Sequence, residues 1–203
     1  MKVALLGASG MVGSRILAEL SSRGHAVTAL ARNTAKIAAL PGVTAKAVDA
    51  FDGKALAAAY AGHEAIISSV HYLASDADTL IGAAKASGVA RYLVVGGAGS
   101  LEVAPGVQLF DTPQFPAIYL GEAKAGGAFL DKLKAEPMLN WTFLSPAATI
   151  LPGERTGTFR LGGDQLIVDA AGNSAISAED YAIALVDELE TPKHVRKRFT
   201  VAY

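Results

Sequence analysis

The sequence predicts an α/β protein built on a doubly wound parallel sheet. Short apolar runs alternate with amphipathic segments along the first half of the chain, which is the rhythm of βαβ units. The first apolar run, Val3–Leu6, leads directly into three evenly spaced glycines and then an amphipathic stretch, 11–22. Strand, glycine bend and helix in that order are typical of the first unit of such a sheet. With 203 residues, the whole of 1–203 is expected to form one domain.

Composition excludes several classes of function. The chain has no cysteine, so disulfides, thiolate catalysis and cysteine metal sites are excluded, and its four histidines lack metal-ligand spacing. The formal net charge is −1, and the only basic run is Lys193–Arg198, so no nucleic-acid partner is predicted. No apolar run is long enough for a membrane helix and no signal-peptide pattern opens the chain. A cytoplasmic protein without a membrane partner is therefore expected.

The glycine bend carries the first functional prediction. Its spacing is G-x-x-G-x-x-G, in which Gly7 permits a tight turn, Gly10 admits a diphosphate close to the backbone, and Gly13 lets the helix pack on the sheet. The unpaired amides and the positive end of the helix dipole favour an anion at the same place. The predicted dinucleotide contacts of the bend are Gly7, Ser9, Gly10, Met11, Val12 and Gly13. The alternative is a bend that only connects a strand to a helix.

The second strand, predicted over 25–31, ends at the residue that predicts cofactor choice. An NAD site places an acid about 20 residues beyond the glycines, whereas the 2′-phosphate of NADP requires a cation. Arg32 stands at this strand end and offers a planar fork that can grip a phosphate in two places. NADP(H) is therefore preferred over NAD(H), with a solvated arginine as the alternative. A short helix is expected next, over 33–40.

A third strand is predicted over 43–48, followed by Asp49 at its carboxyl end and a helix over 54–60 that Asp52 caps. Asp49 is expected to accept a hydrogen bond from the adenine amino group. This assignment completes the coenzyme side of the predicted site.

The fourth strand, predicted over 64–70, supplies the other side. In a doubly wound sheet the loop after this strand lies across the crevice from the glycine bend. Ser68, Ser69 and Val70 are therefore predicted to lie near the nicotinamide-bearing ribose. For His71, which follows them, a solvent-facing role is favoured over a role as an acid.

A helix capped by Ser75, with Asp78 as its acidic partner, is expected to end at Ala86 and to lead into a fifth strand over 90–95. A second glycine cluster follows that strand. Its small residues leave room for a flat ring, so Gly96 and Gly97 are predicted to contact the cofactor, and Ser100 places a hydroxyl at the catalytic edge.

The remainder of the chain predicts two substrate-side loops. Segment 102–120 is long, aromatic and broken by three prolines, as functional loops often are. Segment 146–176 is expected to form a small C-terminal cap over the crevice, with turns and a short hairpin over 152–163. Around these loops the sequence predicts a helix over 121–136, a strand over 141–145, a helix to 190 that Ser177 caps, and a last strand over 198–202.

Five motifs along the chain resemble the atypical short-chain dehydrogenases/reductases, and within them the bacterial group of NAD(P)H-binding proteins and NADH-flavin reductases. They are G-A-S-G-M-V-G at 7–13, G-G-A-G-S-L at 96–101, W-T-F-L-S-P at 141–146, P-G-E-R-T-G at 152–157 and S-A-E-D-Y-A at 177–182. The resemblance implies a Rossmann-like fold and hydride transfer from NADPH to a small-molecule acceptor such as FMN, FAD or a quinone. The group is also similar to biliverdin reductase B and to NmrA-like proteins, which implies an alternative role as an NADP(H) sensor without turnover.

One departure from the wider family affects the expected chemistry. Alcohol-oxidising members use Tyr-x-x-x-Lys, whereas here Tyr119 is followed four places on by Ala123, and Lys124 comes one place late. One residue rotates a helical side chain by about 100°. Alcohol chemistry is therefore not predicted, and a sugar epimerase is disfavoured because few residues remain for a substrate domain. Ser100 and Tyr119 are predicted to orient a ring heteroatom of the acceptor, with plain packing as the alternative for Tyr119. The sequence leaves monomer and homodimer open.

Overall fold

The computed structural model describes residues 1–203 and has helices on both faces of an eight-stranded sheet. The twelve strands are β1 (Lys2–Leu6), β2 (Ala26–Ala31), β3 (Val43–Ala47), β4 (Ala65–Ser68), β5 (Arg91–Val95), β6 (Glu102–Ala104), β7 (Val107–Gln108), β8 (Asn140–Ser145), β9 (Thr149–Leu151), β10 (Arg160–Gly162), β11 (Ala175–Ser177) and β12 (Lys197–Ala202). The five α-helices are α1 (Met11–Ser22), α2 (Gly53–Tyr60), α3 (Ala77–Ala86), α4 (Ala117–Lys134) and α5 (Ala178–Glu190).

The strand order of the main sheet is β10-β12-β8-β5-β4-β1-β2-β3. All neighbours pair in parallel except β10 and β12, which are antiparallel. The chain builds outward from β1 in one direction to β3, then returns to place β4 on the other side of β1. The doubly wound sheet predicted from the sequence is confirmed. Its topological switch point, where ligands of this class of sheet bind, lies between β1 and β4.

Each face of the sheet is covered by its own apolar layer. Val3 and Leu5 pack with α1 and α5, while Ala4 and Leu6 belong to the opposite layer, which includes residues of α2, α3 and α4. Because both faces are buried, β1 reads as a continuous apolar run and not as an alternating one. This burial fixes the position of the bend that follows Leu6.

Two helix starts differ from the sequence predictions. Asp76, and not Ser75, caps α3, because the Asp76 carboxylate accepts the Thr79 amide at 2.8 Å while the Ser75 hydroxyl donates to the carbonyl of His71. Helix α4 begins at Ala117, directly after Pro116, four residues earlier than predicted. A proline before a helix fits there because its missing N–H needs no partner. Tyr119 therefore lies in a helix and not in a loop.

Two other predicted elements also differ. The helix expected over 33–40 is a single 3₁₀ turn, Thr34–Lys36, which the Asn33 side chain caps. The hairpin expected within 152–163 is absent, since Arg160–Gly162 instead pairs with β12 at the edge of the main sheet. A separate two-stranded parallel sheet joins β9 to β11, and the hairpin of the chain is formed by β6 and β7.

The segment 153–157 lies against α1 and α5. The amide of Gly153 donates to Glu179 at 2.8 Å, and Arg155 donates to both carboxylate oxygens of Glu19. Asp180 accepts the amide of Gly157 at 2.8 Å. The described contacts of this segment are thus with the two helices.

None of the helices combines the length and the apolar character needed to cross a membrane.

Candidate functional site

The register of the parallel strands brings most of the predicted cofactor-binding residues to one edge of the sheet. Leu6 of β1 pairs with Leu30 of β2 and with Ser68 of β4, and Ser68 pairs with Val94 of β5. The residues that follow these positions therefore emerge side by side. They are the glycine bend, Arg32, Ser69, Val70, Gly96 and Gly97, joined by Asp49 beyond β3.

The bend is held by two neighbouring strands and tolerates only glycine at its first position. Gly7 has φ +83°, and a Cβ on it would lie 2.0 Å from the carbonyl oxygen of Ser69. The amides of Gly7 and Ala8 both donate to the carbonyl of Leu30, at 2.8 and 3.2 Å. The bend is therefore fixed between the ends of β2 and β4.

The start of α1 has the geometry of an anion site. A Cβ on Gly13 would lie 2.0 Å from the carbonyl oxygen of Gly7, so the first turn packs directly on the bend. Gly10 is the N-cap; no side chain caps the helix, and its first turn contains no acid. A Cβ on Gly10 would meet only the Gly7 carbonyl, at 3.4 Å. The amides of Met11 and Val12 have no helical partner and suit a diphosphate, so the cradle fits a dinucleotide.

Arg32 lies two residues beyond Leu30, whose carbonyl holds the bend, and its side chain is exposed. It takes part in none of the ion pairs of the protein. A guanidinium without an acidic partner beside an anion cradle is suited to a second phosphate. Asp49 is also exposed, and one of its oxygens accepts the amide of Phe51 at 3.0 Å. It borders a cavity of about 810 Å³ between α2 and α3.

The loop after β4 borders the bend with its backbone and with Val70. The Ser69 amide donates to the carbonyl of Leu6 at 2.9 Å, and Val70 lies 3.2 Å from the position of a Cβ on Gly7. Ser68 differs from these residues because it is only 2% exposed within the sheet. The structure therefore brings Ser69 and Val70 to the surface of the crevice, and not the Ser68 side chain.

The second glycine cluster divides into a packing residue and an open one. A Cβ on Gly96 would lie 2.4 Å from the ring of Phe143, whereas the nearest atom to a Cβ on Gly97 is in the Tyr72 ring, at 4.0 Å. The Tyr72 ring also stacks on Phe143, and its hydroxyl donates to the carbonyl of Val95 at 2.8 Å. Burial raises the pKa of Tyr72 well above 10, so its hydroxyl is not suited to act as an acid. Its ring forms an apolar floor beside Gly97.

Ser100 is separated from these residues. It is 5% exposed, and its hydroxyl and carbonyl oxygens both accept Arg198 Nη1 at 2.9 Å. It borders a cavity of about 400 Å³ with Gln108 and Lys124, and none of the predicted cofactor-binding residues lines that cavity. Tyr119 is 62% exposed in the first turn of α4. No hydrogen bond joins the side chains of Ser100 and Tyr119.

Sequence reasoning missed Glu122, which joins α4 to the loop after β4. Its two carboxylate oxygens accept the amides of Tyr72 and Leu73, at 2.6 and 3.0 Å. The partners lie about 50 positions apart, so no local pattern could have indicated the contact. Tyr72 was missed as a floor residue for the same reason, since its neighbours Phe143 and Gly126 are distant along the chain.

A doubly wound sheet with an uncapped helix start behind a glycine bend at its switch point defines a dinucleotide-binding protein of the Rossmann type. A family model described as NAD(P)H-binding matches residues 7–192. The chain belongs to this NAD(P)H-binding family, and the resemblance stated from its motifs is confirmed at that level.

Three similar solved structures extend the comparison. A "putative exported protein" from Burkholderia pseudomallei is 50% identical, with a TM-score of 0.91 and complete coverage of both chains. A "putative epimerase" from Bacteroides thetaiotaomicron is 44% identical, with a TM-score of 0.94 over 100% of this chain and 96% of the other. A "putative NADH-flavin reductase" from Streptococcus pneumoniae is 36% identical, with a TM-score of 0.84 over 100% and 99%. The fold and family are thus shared by proteins with different names.

Proposed function

We propose that the protein is an NADPH-dependent reductase of a flavin or of a similarly flat, conjugated acceptor such as a quinone. The observation that carries the proposal is the uncapped start of α1 at Gly10, with the unpaired guanidinium of Arg32 beside it. The name of the Streptococcus pneumoniae relative supports the flavin acceptor. Arg32 supports NADPH over NADH because a 2′-phosphate gains a charge-assisted contact that a 2′-hydroxyl does not.

Each half of the coenzyme has its proposed partners. The amides of the bend and first turn hold the diphosphate, Arg32 holds the 2′-phosphate, and Asp49 accepts from the adenine amino group through its free oxygen. Ser69 and Val70 face the nicotinamide side. When bound, the coenzyme supplies the hydride. The protein has to stack the two rings at reacting distance and exclude competing reactions.

The proposed acceptor side lies between the open position at Gly97 and the two predicted substrate-side loops. These loops, 102–120 and 146–176, meet at Glu102, whose amide donates to the carbonyl of Asp164 and whose carbonyl accepts the amide of Leu166, at 2.9 and 2.8 Å. Tyr119 is proposed to orient the acceptor with its exposed hydroxyl. Ser100 is proposed to do so through its hydroxyl hydrogen, which the bond from Arg198 leaves available.

A second candidate function is a coenzyme sensor that does not turn over. The observation that favours it is the placement of Tyr119 and Lys124 on α4, five positions apart on a helix of 18 residues, which does not form the tyrosine–lysine relay of alcohol-oxidising relatives. A protein that binds NADPH tightly without this relay can report coenzyme state through partner contacts.

One experiment separates the two. Purified protein is mixed with NADPH and with FMN, FAD or menadione, and loss of NADPH absorbance is followed against acceptor concentration. Saturable turnover with at least one acceptor is expected. Tight NADPH binding without turnover on any acceptor would favour the sensor, and no binding of either coenzyme would overturn both functions.

A further inference from the structure

We propose that His71 supplies the proton of the reduction and that Glu122 positions it. The inference rests on the proposed reductase function. It assigns the role of proton donor to His71, for which the sequence favoured a solvent-facing role. The reduction needs one proton in addition to the transferred hydride. The tyrosine–lysine relay that supplies this proton in alcohol-oxidising relatives is not formed here.

His71 stands where the two sides of the crevice meet. The residue before it, Val70, lies 3.2 Å from the position of a Cβ on Gly7, and the ring of the residue after it, Tyr72, lies 4.0 Å from that of a Cβ on Gly97. Its own side chain is 87% exposed. The imidazole therefore projects from the strip of chain between the bend and the open glycine, with its ring free to meet a ligand.

Glu122 makes this histidine different from an isolated surface one. Its carboxylate is fixed by the amides of Tyr72 and Leu73, at 2.6 and 3.0 Å, and its Oε1 lies 3.4 Å from Nδ1 of His71. In the proposed arrangement Nδ1 carries a hydrogen on the side of this carboxylate. Nε2 is then the nitrogen that can present a proton to the acceptor. Contacts of this kind are often long before a ligand binds.

The hydroxyls on the same side are less suited to proton transfer. Tyr72 donates its hydroxyl hydrogen to the carbonyl of Val95, and burial raises its pKa. Ser100 is buried beside Arg198. Tyr119 is exposed on α4, and the protein provides no hydrogen bond to its hydroxyl. They can orient an acceptor, whereas an imidazole is the type of side chain best suited to proton exchange near neutral pH.

The proposed step balances. The acceptor gains two electrons and one hydrogen as hydride from the reduced nicotinamide, which becomes NADP⁺, and is left with an additional negative charge on an oxygen or nitrogen. The N–H bond at Nε2 of His71 breaks, and an O–H or N–H bond forms on the acceptor. Neutral His71 then takes a proton from solvent and is ready for the next cycle.

The test compares His71→Gln, Glu122→Gln and Lys132→Gln, the last a control that removes a charge from the same helix. His71→Gln is expected to lower kcat with FMN about 100-fold, the lower end for general acids. NADPH and FMN affinities, measured by fluorescence titration without turnover, should remain within about twofold because the contacts proposed for binding are elsewhere. Added imidazole should restore part of the rate of His71→Gln.

Glu122→Gln should lower kcat about tenfold, below the effect of removing the acid itself, while KM stays unchanged. The melting temperature should fall slightly, because glutamine has one acceptor oxygen for the two amides of Tyr72 and Leu73. Glu122→Asp should recover part of kcat. Lys132→Gln should match the wild type. If His71→Gln has the same kcat as the wild type, the proton-donor role is overturned and the reductase function stays intact. Loss of turnover without rescue by imidazole would also overturn that role. Absence of wild-type turnover on every acceptor would instead refute the proposed function itself.

Discussion

The two halves of the crevice, one proposed for the coenzyme and one for the acceptor, are built in different ways. On the coenzyme half, backbone atoms make the contacts. Gly7 lies against the Ser69 carbonyl, and two amides of the bend donate to the carbonyl of Leu30. On the acceptor half, side chains from distant segments make the contacts, as when Glu122 accepts the amides of Tyr72 and Leu73. A binding site made of backbone amides needs a fixed local pattern of glycines, whereas contacts between side chains and distant segments can be made by many sequences.

This difference has a functional consequence. The coenzyme half presents the same amides whatever the side chains around it, so it suits a feature common to all NAD(P)H-binding relatives. The acceptor half can change one contact at a time, which suits proteins that share a coenzyme and differ in substrate. The proposals for Arg32 and His71 belong to opposite halves and can be tested separately.

The largest effect is expected from Gly13→Ala. Its Cβ would lie 2.0 Å from the carbonyl oxygen of Gly7, so the first turn of α1 must move off the bend. We expect a loss of about 3 kcal/mol or more in the free energy of unfolding, measured by urea denaturation. Coenzyme binding should be lost as well.

The matched control is Gly82→Ala, in the middle of α3, where a Cβ meets nothing within 4 Å. This variant should gain about 0.5–1 kcal/mol because alanine favours a helix over glycine. Equal losses at both positions would show that the close contact at Gly13 does not determine stability.

Arg32→Ala should weaken NADPH binding by about 10- to 100-fold, the range for losing hydrogen bonds to a charged group. NADH affinity should change little because its 2′-hydroxyl gives the guanidinium no phosphate to bind. Isothermal titration with both coenzymes measures the difference. Lys36→Ala, at the end of the following 3₁₀ turn, is the control and should have a smaller effect. Equal losses for NADPH and NADH in Arg32→Ala would remove Arg32 from its proposed role.

Asp76→Ala should cost about 1 kcal/mol as the loss of a helix cap. Ser75→Ala should cost less, since Ser75 bonds the His71 carbonyl and not α3. The amide of Thr79 lowers the pKa of Asp76, so the folded pKa lies below the unfolded one. Its contribution is then present above about pH 4 and is lost as pH falls through the folded pKa. Urea denaturation at pH 7 and pH 3 measures this, and the difference in stability between the wild type and Asp76→Ala should be smaller at pH 3 than at pH 7.

The smallest effect is expected from Tyr119→Phe. Its hydroxyl is exposed, and an orienting hydrogen bond in contact with solvent contributes about 0.5–1 kcal/mol, or roughly two- to fivefold in kcat/KM with FMN. NADPH affinity should be unchanged. A larger loss, with folding intact, would move Tyr119 from orientation to chemistry.

The sequence predicted the strand, bend and helix at the start of the chain for a physical reason. The strand β1, the bend and α1 form one local unit in which burial on both faces and the demand for glycine leave clear marks on neighbouring residues. The Ser177 cap of α5 was predicted equally well, since the Asp180 amide donates to the Ser177 hydroxyl three residues away. Contacts between residues that are close in the sequence can be predicted from the local pattern of residues.

The acceptor half could not be predicted in the same way. Ser100 is held by Arg198, nearly a hundred residues later, and a contact over that separation leaves no local pattern in the sequence. The pairing of Arg160–Gly162 with β12 depends on the partner strand and not on a turn within 152–163. Two capping residues stood side by side at α3, and only the fold decided that Asp76 and not Ser75 takes the role.

The contact between residue 7 and the Ser69 carbonyl also bears on kinetics. Because β2 and β4 both contact this turn, the proposed coenzyme-binding surface has its final shape before the coenzyme binds. Rapid-mixing traces of NADPH association should accordingly show a single phase whose rate rises linearly with concentration, without a slow isomerisation following.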